Sequence, residues 1–176
     1  MTGVSRDASS WDDLGEQALI PLSQIGCDAF ECALLPIIRD LTLTCRCPEG
    51  KSWIPIYGDA EKRWGARTGL PLVHRLSQIV VTLVRIKGNA LDVLDPADQS
   101  MRALVTRDEQ LLLLMIHHMR RKHLHAGCDF LLDLVDGDMD AELMEEALRF
   151  AERHSCGAPQ TRKHDGVLGG RLRVVR

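Results

Sequence analysis

Apolar residues recur along much of this chain with the period of a helix, not the alternation of a strand. The clearest run lies between Leu70 and Lys87. There Leu72, Leu76, Ile79, Leu83 and Ile86 follow one another at spacings of 4, 3, 4 and 3, a heptad seam widened by Val73, Val80 and Val84. Gly88-Asn89 supplies its stop. A second periodic run, Phe30, Leu34, Ile37, Ile38 and Leu41, has Asp28 placed to cap it. Pro36 inside that run lacks an amide donor and predicts a kink or a later start.

A third helix opens at the capping box Thr106-Arg107-Asp108-Glu109. The pattern carries it to about Ala126, with Gly127 closing it. Leu111 to Ile116 is apolar all round, so this helix is expected to be the most buried. Asp129 then caps a short segment, Phe130 to Val135. Asp136-Gly137 breaks it, and Asp138 or Asp140 caps a last helix to about His154. Shorter helices are expected from Ser10 to Ile20, from Asp59 to Trp64, and for a turn or two after Asp95-Pro96. Thr44 to Ser52 reads as a polar loop, and Trp53 to Tyr57 as an extended link whose aromatics pack on the bundle.

The sum is an all-α chain, an irregular bundle of about six to eight helices. Residues 1–9 read as a flexible start, 10–156 as the helical domain, and 157–176 as a flexible basic tail. Composition agrees. Hydrophobic residues make up 45% of the 176 positions and aromatics only 4%, the aliphatic mix of a helical core.

The net charge of −3 gives no whole-chain attraction to nucleic acid or anionic lipid. The charge is uneven, however. Asp129 to Arg153 holds nine acids against two arginines, a balance of −7, whereas Gly157 to Arg176 balances at +4. Acids on the last helix argue against a helix-turn-helix docked on phosphates. No secretory signal is visible, and the longest aliphatic run, Leu111 to Ile116, is far short of a membrane span. A cytoplasmic protein with reduced thiols is therefore expected.

Three clusters carry candidate chemistry. Cys27, Cys32, Cys45 and Cys47 could supply four thiolates to zinc, although C-x-C is an awkward bite and buried thiols often serve as small hydrophobes. In the histidine-rich run His117 to His125, only His125 and Cys128 have chelating helical spacing; His118 and His125 share a face about 10 Å apart. Asp136, Asp138 and Asp140 resemble a calcium loop, but Ala141 and Ala147 stand where it needs Gly and Glu. Nucleophile elbows, phosphate loops and zinc-protease motifs are absent from the sequence.

The sequence therefore favours a non-enzymatic cytosolic protein, regulatory in role, that binds a protein partner or a second copy of itself and needs no cofactor. Leu72, Leu76, Ile79, Leu83 and Ile86 are the candidate contact face. The alternative is a metal- or redox-responsive regulator using the Cys and His residues, with zinc the natural ion. The capping boxes and the seam are general folding signals, not family signatures.

Overall fold

The computed structural model describes residues 19–49 and 52–156. The expected tail 157–176, the start 1–9 and nearly all of the expected Ser10–Ile20 helix lie outside them. Six α-helices make up the described chain: α1 (Ala29–Arg46), α2 (Ile54–Trp64), α3 (Ala66–Lys87), α4 (Arg107–Arg120), α5 (Leu124–Leu134) and α6 (Ala141–Arg153). The protein is predominantly all-α, with a helix count at the lower end of the expected range. The one described sheet is a pair of two-residue strands, β1 (Ile20–Pro21) antiparallel to β2 (Leu104–Val105).

Local chemistry explains most helix ends. Asp28 caps α1 in a full capping box, its carboxylate accepting from Glu31 N at 2.9 Å while Glu31 accepts from Asp28 N at 2.8 Å. Cys27 and Cys32 occupy the staple positions flanking that box, with Cys32 Sγ 3.7 Å from the Cys27 carbonyl oxygen. Thr106 and Glu109 build the same device on α4. Asp140, the second of the two expected caps, accepts from Leu143 N and opens α6. Pro36 stands on the exposed side of α1, and the helix runs through it.

Four local expectations need correction. The Trp53–Tyr57 stretch is the start of α2, not an extended link, because Pro55 sits in the first turn, where a missing amide costs nothing. Asp59 consequently lies inside α2 and caps nothing, although Trp53 and Tyr57 do pack on the core. The helix opened by Thr106 ends at Arg120, where Lys122 takes a left-handed φ of 63°. Gly127 is no stop. It lies in α5, where a Cβ would come within 2.6 Å of Met119 Cγ, so it lets α5 fold back closely on α4. Asp129 falls inside α5 for the same reason.

One hydrophobic cluster runs through all six helices. α4 is buried along nine of its 14 residues, as its all-round apolar run leads one to expect, and on α3 Leu72, Leu76, Ile79 and Leu83 have no exposed surface. Each such side chain contributes roughly 1.5–3 kcal/mol relative to exposure. By length and composition, α3 and the residues after it could cross a membrane, with a mean hydropathy of 1.2 over the best window. Half of that window is buried within the protein, as befits a core helix. The segment between α3 and α4 is held by charge. Arg46 donates to the carbonyls of Gly88 and Leu91, and Asp108 accepts from Lys87 Nζ at 3.1 Å and Asp92 N at 2.8 Å.

Candidate functional site at the junction of α1, α4 and α6

The capping box of α1 does more than start a helix. Glu31, wholly buried, projects onto the last turn of α4. Its Oε1 accepts from Arg120 Nη1 and from Arg121 Nη1 (2.6 Å), and its Oε2 pairs with His117 Nδ1 at 2.8 Å besides the Asp28 amide. Asp28 Oδ2 accepts from the same two guanidiniums at 3.1 and 2.9 Å. Two carboxylates thus face two arginines, and the cluster is close to neutral before any ligand enters.

The far side is closed by the end of α6. Arg120 Nε donates to the His154 carbonyl at 2.7 Å, Cys156 N donates to the Arg120 carbonyl at 3.1 Å, and Cys156 Sγ lies 3.8 Å from Asp28 Oδ2. The Arg120 guanidinium also stacks 4.3 Å over the Phe30 ring. His154 packs against Phe150 and Phe30 with its Nε2 buried and unpartnered.

These contacts set the titration behaviour. Burial pulls the Asp28 and Glu31 carboxyls upward, but hydrogen bonds from backbone amides, arginines and, for Glu31, His117 outweigh it and hold both below the ordinary range. Burial, then Glu31 and Cys32, push the Cys27 thiol up to about 12. Burial, with Arg153 and Arg120 adding to it, lowers His154 to about 4.

The sequence-derived candidates fare unevenly. Cys27 and Cys32 reach this junction. Cys45 lies thirteen residues beyond Cys32 on the same continuous helix, roughly 20 Å away at 1.5 Å per residue, and Cys47 follows it. The four thiols therefore cannot close on one ion, and that zinc set is withdrawn. His125 and Cys128 are both on α5, His125 exposed, but no third donor joins them among the described residues. Leu72, Leu76, Ile79 and Leu83 are spent on the internal core and Ile86 is half-buried, so the seam is not an available contact face.

What the sequence reading missed is the pairing of Asp28 and Glu31 with His117, Arg120 and Arg121. The only sequence signals were a capping box and a basic helix end, each with a complete local explanation. The structure brings the sulfur of Cys27, a Glu31 oxygen and a His117 nitrogen within 4.8 Å of one another. A cavity between α1, α3 and α4, lined by residues including Thr42, Leu91 and Asp108, holds only about 10 Å³, space for one water at most. Comparison with known protein families, curated proteins and solved structures finds no match to this chain.

Proposed function

We propose that this chain is a non-enzymatic helical binding module that acts through its surface on a protein partner, including a second copy of itself. One observation carries the reading. At the junction where Cys, His, Asp, Glu and Arg converge, the side chains stand in direct hydrogen-bond contact with one another and leave no gap between them for an organic molecule. The 10 Å³ cavity deeper between the helices is also far below the roughly 300–1,000 Å³ of small-molecule sites. An organic substrate has no seat at either place.

The exposed apolar side chains that could meet a partner differ from the seam the periodicity suggested. Val81 on the outer side of α3, Leu148 on α6 and Leu124 at the start of α5 are 44, 37 and 47% exposed, and Ile54 at the start of α2 is 81% exposed. Light scattering over a concentration series tests self-association. The mass should rise toward a dimer, and Val81→Asp or Leu148→Asp should lower it with no loss of thermal stability. A strict monomer at millimolar concentration removes the homodimer version, leaving only a different partner. Turnover of a small molecule by the purified chain would overturn the reading altogether.

A further inference from the structure

We propose that Cys27, Glu31 and His117 form a binding site for one divalent metal ion, zinc being the ion whose ligand preferences fit best. The site is structural and is compatible with the absence of a substrate-sized space, since a bare ion needs none. The donor set is one sulfur, one imidazole nitrogen and one carboxylate oxygen, all within 4.8 Å of one another, with Glu31 buried and the other two half-buried. That combination is characteristic of zinc and unsuited to calcium or magnesium, which take oxygen shells. Tetrahedral zinc places its ligands roughly 3.3–3.8 Å apart, so His117 Nδ1 and Glu31 Oε2, 2.8 Å apart as a hydrogen-bonded pair, part by about 0.5–1 Å to admit the ion, while the Cys27 sulfur, within 4.8 Å of a donor atom on each residue, completes the triangle. Small side-chain rotations supply that.

The surroundings answer the obvious objection, the presence of two arginines. Both guanidiniums bond Glu31 through Oε1, while His117 Nδ1 meets Oε2. A ligating carboxylate oriented through its second oxygen is the usual outer-shell arrangement. Charge is nearly balanced: Asp28 and Glu31 offset Arg120 and Arg121, and an ion that displaces the Cys27 proton adds a single positive charge. The companion group Asp28, Glu31 and Cys156 is the weaker choice, because the same arginines already occupy Asp28 Oδ2.

The full chain, purified without a histidine tag, tests this. After incubation with zinc chloride and desalting, elemental analysis should find close to one equivalent. Cobalt(II) in its place should give a sulfur-to-metal charge-transfer absorption. Cys27→Ser should abolish that absorption, and Cys27→Ser and His117→Gln should each weaken zinc binding at least tenfold, whereas Cys45→Ser should change neither. Less than about a tenth of an equivalent on the folded wild-type chain overturns the proposal. So does cobalt bound without sulfur absorption, or a zinc affinity that Cys27→Ser leaves unchanged. The wild-type stoichiometry and spectrum decide the matter even where a variant fails to fold, and neither depends on whether the chain dimerises.

Discussion

Arg39 on α1 and Glu109 on α4 meet as a buried fork, Nε to Oε1 at 2.7 Å and Nη2 to Oε2 at 2.8 Å, with side chains 4 and 0% exposed. Glu109 simultaneously accepts from Thr106 N in the capping box and from Leu94 N, and Arg39 donates to the Leu104 carbonyl at 2.6 Å. One ion pair therefore joins two helices, a helix cap and the strand pair. Arg39→Met leaves a buried carboxylate without its cation and should cost about 3–5 kcal/mol. Glu109→Gln keeps an acceptor for the cap and should cost less, about 1.5–3 kcal/mol. Urea denaturation of the two variants checks the order.

Close helix approach makes two glycines sensitive to a methyl group. At Gly69 a Cβ would stand 2.3 Å from the Ala60 carbonyl oxygen, where α3 crosses α2, and backbone cannot swing aside. At Gly127 the neighbour is Met119 Cγ at 2.6 Å. Gly127→Ala should destabilise by about 1–3 kcal/mol despite better helix propensity, and Gly69→Ala by more. Gly58 in α2 has nothing within 4 Å of such a Cβ. Gly58→Ala should stabilise by about 0.4–1 kcal/mol. Thermal melts of the three variants separate these cases.

His154 sets a pH window. Its folded pKa, lowered by burial to about 4, lies below the roughly 6.5 of an unfolded histidine. Between those values the unfolded chain binds more protons, so stability falls as pH drops from about 6.5 toward 4. Asp28 and Glu31, held below the ordinary carboxylate range, contribute stability above their unfolded values and lose it only at lower pH. The Tm of wild type should fall more steeply between pH 7 and 4 than that of His154→Gln.

Thiol reactivity should sort by environment. Cys47 and Cys156 are exposed, whereas the Cys27 thiol is pushed up to about 12 by burial and by Glu31. At pH 8 iodoacetamide should modify Cys47 and Cys156 first and Cys27 at least tenfold more slowly, as read by peptide mass spectrometry. Rapid labelling of Cys27 in the native state would show that the junction opens.

Pro36 is the one residue in α1 at odds with its helix. It stands exposed, with no amide to offer the carbonyl four residues earlier. Pro36→Ala should raise stability by about 1–3 kcal/mol if the helix axis is unchanged, and an equilibrium unfolding curve reports it.

How much could be read ahead of the fold follows from interaction range. The box at Thr106 and Glu109 and the break at Gly88 are decided within four residues, so they were legible. The end of α4 was not. A sequence running past Arg120 into Leu124 to Leu134 looks helical throughout, and only the packing of Gly127 on Met119 explains why the chain turns back. Likewise, Pro55 appeared to break a segment that it in fact begins.

By itself the sequence determined that the chain is helical, where α1, α4 and α6 begin, and that α3 carries a wide apolar stripe, because period and capping are local properties of neighbouring side chains. Only the tertiary structure decided that the stripe is consumed internally and that Glu31 meets His117, 86 positions away. Such a meeting depends on how helices stack and cross, which no short-range pattern encodes.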